Sequence, residues 1–255
     1  MLQRSDPVRP PSTRRGIRSV ETGLRVLAAL GATGGPSTLT SLGARVGLSP
    51  SQTHRYLQSL VAAGMAVQDV STRYDLGPAV IRIGVAALAR MSGFARAEAA
   101  LARFVDETGW TGLLAIWGES GPVCVRWLPG RPPVVTSLGV GSVLPLLHSA
   151  AGNVFLAYLS PNELATPLAE LAVNGEAETI GRQVRAGQLA ELSNGALPGL
   201  RAIAAPIFDL QGRLNFVAGG LATRAIPEEA DAQVTERLRH ACREATLACG
   251  GRWPT

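Results

Sequence analysis

The sequence predicts an α+β protein in two parts, a small N-terminal unit of helices with a β-hairpin and a larger C-terminal α+β domain. Two patterns in the sequence lead to this fold class. Helical periodicity interrupted by glycine turns fills the first part and gives way to two short strand patterns near residue 70. From Gly109 onward, strand-like runs and helical segments follow one another without strict alternation, which favours an α+β arrangement.

Charge is distributed unevenly along the chain. Residues 1–90 contain 11 Arg and 4 acidic residues, a net charge of +7, whereas residues 91–255 contain 13 Arg and 15 acidic residues, a net charge of −2, which together give the overall +5. This asymmetry indicates that the first part meets a polyanion. All 24 basic side chains are Arg. The absence of Lys excludes the usual phosphate-binding loop, a Schiff base and a Lys-activated nucleophile.

Two predicted helices open the N-terminal unit. The first occupies residues 17–30, where apolar residues recur at helical spacing, and Ser19 is its candidate cap. Its predicted buried residues are Val20, Leu24 and Leu27. A glycine-rich segment then breaks the pattern, and a second helix is predicted at 39–46 with Leu42 and Val46 turned inward.

A third helix has a strong N-terminal signal. Ser49 precedes Pro50, which suits the first helical position, and Gln52 follows Ser49 by three residues. This spacing is that of a capping box, in which the first and last of these residues satisfy each other's backbone N–H groups. The helix is predicted to reach about Ala63 and to stop at Gly64.

A short hairpin after the third helix predicts the winged form of a helix-turn-helix. Its strands are expected at 65–69 and 73–76. The third helix would bury Leu57, Leu60 and Val61 and offer its polar side to the major groove, which admits one α-helix. The candidate DNA-contacting residues are Ser49, Ser51, Gln52, Thr53, His54, Arg55 and Gln58 on the helix and Arg73 on the hairpin. The alternative is an ordinary capped surface helix.

The C-terminal part predicts helices and strands in mixed order. Helices are expected at 81–90, 94–107, 149–159, 162–171, 180–187 and from Pro227 to about Cys249. Strands are expected at 113–117, 122–128, 134–138, 200–208 and 214–221. The three cysteines lack ligand-like spacing, which fits a reduced cytosolic protein without a disulfide or a zinc site.

A resemblance to a known family extends from about Ser19 to Cys249. The stretches SVETGLRVLAAL, LTSLGARVGLSPSQTHRYLQSLVAAGMA and RYDLGPAVIRIG resemble the winged N-terminal domain of IclR-type bacterial transcription regulators. The stretches GSVLPLLHSAAGNVFLAYL, from Gly141, and PGLRAIAAPIFDLQGRLNFVAGGL, from Pro198, resemble the C-terminal domain of that family.

The resemblance implies a cytoplasmic repressor, homodimeric or homotetrameric, that binds a palindromic operator in double-stranded DNA without a cofactor. A GAF-like C-terminal domain would hold a small-molecule effector that modulates this binding. The implied organisation is a flexible basic arm at 1–16, a winged helix-turn-helix at 17–78, a linker helix at 79–92 and an effector-binding domain at 93–255. No run of ~18 apolar residues occurs, so no membrane association is expected.

The resemblance also places the effector pocket around the turn after GSVLP and beside the two late strands. The candidate effector-binding residues are Arg126, Ser149, Ala150, Ala151, Leu192, Leu200, Ala202, Gly219 and Leu221. Asn153 stands where the family often has Lys or Arg, and Gly219 and Gly220 stand where Ser is common. We therefore expect a bulkier or more apolar effector than a small keto acid, such as an aromatic or apolar carboxylate.

Several alternatives remain open at this point. Strand alternation would put Arg126 on the face of Cys124, where it could clamp a carboxylate, but an exposed Arg on a half-solvated sheet is the simpler interpretation. Trp127 is expected in the core or in an interface. A ligand-independent regulator with a degenerate sensor domain is the second functional hypothesis. An enzyme is the third, but GxSxG, HExxH, GxGxxG after a strand and Cys/His metal sets are all absent, so no catalytic or metal-binding residues are expected.

Overall fold

The computed structural model describes residues 16–119, 121–171, 175–195, 198–228 and 231–254. The chain forms two compact units, the first ending at Ala86 and the second beginning at Ala87. The predicted basic arm at 1–16 lies outside the described residues except for Gly16. Within the described ranges no single helix is long and apolar enough to cross a membrane, and only one bent pair of consecutive helices reaches that length and composition together.

The first unit is a three-helix bundle with a hairpin. Its elements are α1 (Arg18–Gly31), α2 (Leu39–Val46), α3 (Pro50–Ala62), β1 (Ala66–Gln68), β2 (Tyr74–Leu76) and α4 (Pro78–Ala89). The strands pair antiparallel, and Ser37, just before α2, also pairs with Tyr74. The core is formed by Val26, Leu30, Leu42, Leu57 and Tyr74, whose side chains are almost fully buried.

The predicted buried face of α1 is wrong in part. Val20 and Leu24 are 55% and 58% exposed, whereas Val26 and Leu30 are buried. The helix has apolar residues on two sides, and packing against α2 and α3 decides which side is covered. Ser19 is not the cap either, because the N-cap is Ile17 and no side chain caps this end.

The second unit contains a five-stranded antiparallel sheet in the order β4-β3-β7-β6-β5. Its helices are α5 (Phe94–Thr108), α6 (Ala150–Tyr158), α7 (Pro161–Leu171), α8 (Glu176–Gly187) and α9 (Asp231–Ala248). Its strands are β3 (Thr111–Gly118), β4 (Gly121–Leu128), β5 (Ala190–Ser193), β6 (Leu200–Phe208) and β7 (Leu214–Thr223). Apolar residues of α5 and α9 cover one face, and α6 packs in the core on the other face.

In this unit one predicted strand is absent and one observed strand was not predicted. Residues 134–138 do not form a strand; Val134 is instead buried in an irregular segment, where its N–H donates to Thr111 Oγ1 at 3.3 Å. The strand β5 was not predicted, because four residues without a β-branched side chain give no strand pattern. It forms through pairing with β6, in which Leu192 lies opposite Ala202.

Candidate nucleic-acid interface and ligand pocket

The N-terminus of α3 has the predicted capping box. The backbone N–H of Gln52 donates to Ser49 Oγ at 3.3 Å, and the backbone N–H of Ser49 donates to Gln52 Oε1 at 3.2 Å. The Ser49 hydroxyl also donates to Gln52 Oε1, at 3.1 Å. Pro50 occupies the first helical turn, and Gly47 at the end of α2 has a φ of +69°, which favours glycine. The polar start of α3 is therefore held rigidly by local interactions.

The candidate DNA-contacting residues of α3 share one exposed surface, with a single exception. The exposed residues are Ser49, Ser51, Gln52, His54, Arg55 and Gln58. Thr53 is fully buried, and its Oγ1 donates to the Ser49 carbonyl at 2.9 Å. A Cβ at Gly43 would lie 2.7 Å from Thr53 Oγ1, so this side chain fills the contact between α2 and α3. The prediction that Thr53 contacts DNA is corrected to a packing role.

Arg73 lies on the hairpin turn, whose backbone is organised by one carboxylate. Asp69 accepts hydrogen bonds from the backbone N–H groups of Ser71 and Arg73 at 2.8 and 2.9 Å. Arg73 Nε also donates to Asp69 Oδ2 at 3.2 Å. The pKa of Asp69 lies below its ordinary value, mainly because the backbone N–H of Arg73 donates a hydrogen bond to the carboxylate. The Arg73 side chain remains about half exposed at the tip of the wing.

The start of α6 forms one wall of a pocket in the second unit. Ser149 Oγ accepts from the Gly152 N–H at 3.0 Å and donates to the Pro145 carbonyl at 2.6 Å. A Cβ at Gly152 would lie 2.2 Å from the Leu146 carbonyl oxygen, so only glycine allows the preceding turn to pack this closely. The Ser149 hydroxyl at this wall therefore makes its hydrogen bonds within the protein.

The floor of the pocket consists of two rows of residues that lie opposite one another across neighbouring strands. Trp127, Leu113 and Gly219 form one row through the pairing of β4, β3 and β7. The other row joins β5, β6 and β7 and consists of Leu192, Ala202 and Leu221. The pocket has a volume of about 540 Å³, which includes space open to solvent. Its walls are apolar except for Ser149 and the exposed His148, and Trp127 adds an aromatic ring.

Eight of the nine candidate effector-binding residues line this pocket. These eight are Ser149, Ala150, Ala151, Leu192, Leu200, Ala202, Gly219 and Leu221. Arg126 does not, and the prediction for it is wrong. Its Nε forms an ion pair with Glu98 Oε1 of α5 at 2.6 Å. Residues 114–115 of β3 pair with Arg126 and Cys124, so Val125 is bulged and the alternation of β4 shifts by one residue.

The same bulge explains the main residue that the sequence reasoning missed. With the alternation shifted, Trp127 faces the pocket on the side of Cys124, where it contacts the core around α6. Leu138 and Leu144 also line the pocket from the irregular segment before α6. No local sequence pattern marks a β-bulge or an irregular segment that lines a pocket. Only the GSVLP stretch indicated where such lining residues lie.

A winged helix-turn-helix unit followed by an α+β domain with an apolar pocket defines a class of protein, the ligand-binding transcription regulators. Residues 19–70 match the model of the IclR helix-turn-helix domain, and residues 85–246 match the model of the bacterial transcriptional regulator IclR C-terminal domain. The chain therefore belongs to the IclR family, whose members are DNA-binding transcription regulators with an effector-binding C-terminal domain.

Individual relatives agree with this assignment. The chain is 30% identical over 208 residues to the HTH-type transcriptional regulator BhcR of Paracoccus denitrificans, which covers 77% of this chain and 74% of BhcR. It is 27% identical over 252 residues to the transcriptional repressor IclR of Escherichia coli, covering 92% and 91% of the two chains. The crystal structure of Pseudomonas aeruginosa HmgR is similar with a TM-score of 0.71 and 36% identity, covering 92% of this chain and all of HmgR.

Proposed function

We propose that this regulator is a repressor that binds a palindromic operator through α3 and the wing, and releases it or binds it differently when an aromatic or apolar carboxylate occupies the pocket. The observation that carries the proposal is the pocket itself. Its apolar walls enclose the start of α6, where the backbone N–H groups of Ala150 and Ala151 belong to the first helical turn. Such N–H groups have no partner within the helix and favour an anion.

An effector of this chemistry matches the lining residues. A flat apolar ring suits the lining Leu, Ala and Gly residues and the aromatic ring of Trp127. The carboxylate would lie at the start of α6, because the described lining contains no Arg and His148 is its only ionisable side chain.

Seven exposed side chains form the proposed DNA-contacting set. They are Ser49, Ser51, Gln52, His54, Arg55, Gln58 and Arg73. Their types are those that read base edges or grip phosphates. The net charge of +7 over residues 1–90 supplies a favourable electrostatic term of longer range.

A homodimer is the assembly that a palindrome requires. Two helices of the first unit support it with apolar residues that the chain leaves uncovered. On α1 these are Val20 and Leu24, and on α4 they are Ile81, Ile83 and Val85, each at least half exposed. Several large apolar residues left exposed on two helices favour an interface with another protein. We expect no turnover of any compound that binds, in agreement with the relatives, which are named as regulators.

Selection of bound duplexes from random DNA, at two salt concentrations, tests the proposal. The expected result is an enriched palindrome with half-sites about one helical turn apart. Binding that weakens steeply with salt but enriches no sequence would contradict specific recognition and leave only charge-driven contact.

A further inference from the structure

We propose that Gln52 contacts DNA only as a hydrogen-bond donor, through its Nε2 amino group, and so does not make the paired contact by which Gln recognises adenine. This inference rests on the proposed contact between α3 and DNA. It concerns what one residue of that surface can and cannot read. It follows from the capping box, which uses the same side chain.

The oxygen of the Gln52 amide is already occupied. Two donors of Ser49 converge on Oε1, the backbone N–H at 3.2 Å and the hydroxyl at 3.1 Å. Because an N–H group must meet an acceptor, this geometry also fixes which end of the amide is the oxygen. The Nε2 group is therefore the end directed away from the cap, on a residue that is exposed.

The hydroxyl groups of Ser49 and Ser51 are themselves engaged in hydrogen bonds within this cluster. The Ser49 hydroxyl accepts from the Gln52 N–H and uses its own hydrogen on Gln52 Oε1. The Ser49 and Ser51 hydroxyls are 3.2 Å apart, and either can be the donor; when the Ser49 hydrogen is on Gln52 Oε1, Ser51 supplies the hydrogen of this contact. Among the side chains of this cluster, Gln52 Nε2 is then the group with uncommitted hydrogens.

These hydrogen bonds limit which groups of DNA the Gln52 amide can contact. Recognition of adenine by Gln needs the amide oxygen to accept from N6 while the amide nitrogen donates to N7. A donor-only amide matches acceptors instead, which are phosphate oxygens, guanine O6 and N7, thymine O4 and adenine N7. Because guanine and adenine both present N7, such an amide cannot select adenine over guanine. Recognition of adenine would require Oε1 to leave both Ser49 donors. This would break the capping box at the first turn of α3.

Three variants of the full-length chain separate these possibilities. Gln52→Glu keeps an acceptor for the Ser49 N–H, since Glu is the usual partner in a capping box, but it removes the donor. Gln52→Met removes the donor without adding a charge. Ser59→Glu adds the same negative charge to an exposed position of α3 and serves as the matched control.

The readout is selection from random DNA together with operator affinity and thermal unfolding. We expect Gln52→Met to weaken operator binding about three- to tenfold, as for the loss of one hydrogen bond. We expect Gln52→Glu to weaken it by at least that factor beyond Ser59→Glu, with an unfolding temperature within about 2 °C of the parent chain. A uniform loss across sequences identifies a phosphate partner, and loss of a guanine or thymine preference at one position identifies a base partner.

Two results would overturn the inference. One is a preference for adenine over guanine in the parent chain that disappears in Gln52→Met. The other is an unchanged affinity and sequence profile in both Gln52 variants. Failure of the parent chain to enrich any sequence would instead contradict the proposed operator binding, so the two failures are distinguishable.

Discussion

Arg55 is exposed in the middle of α3, on the surface that carries the proposed DNA contacts. An Arg at such a position typically pairs with guanine O6 and N7 through two hydrogen bonds. We expect Arg55→Ala to cost about 1–3 kcal/mol of specific binding and to relax the preference at one base pair. Arg45→Ala, which removes an exposed Arg from α2, is the control and should leave the base preferences unchanged. An unaltered operator affinity of Arg55→Ala in titrations would refute the assignment.

For single residues, the sequence predicts well the roles that depend on neighbouring residues, such as helix caps. It predicts poorly the positions that depend on contacts between residues distant in the sequence. Ser49 and Ser149 were both expected at the start of their helices, and both cap them. Arg126 was misplaced because a bulge in β4 depends on pairing with β3, which strand alternation does not show. Thr53 was misplaced because its burial depends on the absence of a side chain at Gly43.

The close contact of α2 with the start of α3 supports the proposed DNA surface. A Cβ at Gly43 would lie 2.7 Å from Thr53 Oγ1 and 3.1 Å from the Leu48 carbonyl oxygen. We therefore expect Gly43→Ala to destabilise the first unit by about 1–3 kcal/mol, as for other overpacked sites. Gly35→Ala is the matched control, since nothing lies within 4 Å of a Cβ there. Denaturant unfolding measures both, and equal midpoints would contradict the packing role of Thr53.

At the element scale, helices with caps and breaks were predicted within a few residues of their observed bounds. The face that α1 buries was not, because Val20 and Leu24 fit a helical stripe as well as Val26 and Leu30 do. The strand β5 was missed since its register comes from β6 and not from its own four residues. The linker helix was expected at 79–92, and α4 covers Pro78–Ala89, while the division between the units falls inside it. The domain limits at 17–78 and 93–255 remain predictions.

At the scale of the whole molecule, the first unit leaves apolar residues of α1 exposed, and we propose that a second copy covers them. We expect the double variant Val20→Glu/Leu24→Glu to dissociate the proposed dimer, because charges would then be buried in an apolar interface. Light scattering should show a lower mass, together with weaker operator binding. Val70→Glu makes the same kind of change at the fully exposed wing and should leave the mass unchanged. An unchanged mass of the double variant would contradict an interface on α1.

The central proposal is that a ligand in the pocket changes operator binding by the DNA-binding unit. The most direct measurement is operator affinity with and without a panel of aromatic carboxylates, namely benzoate, phenylacetate and 4-hydroxybenzoate. We compare the parent chain with Ala202→Phe, which fills the pocket floor, and with Arg126→Ala, which lies outside it.

We expect at least one of these carboxylates to change the operator affinity of the parent chain about fivefold or more. We also expect Arg126→Ala to respond like the parent chain and Ala202→Phe not to respond. An operator affinity that no carboxylate changes, or a response that persists in Ala202→Phe, would contradict control through this pocket.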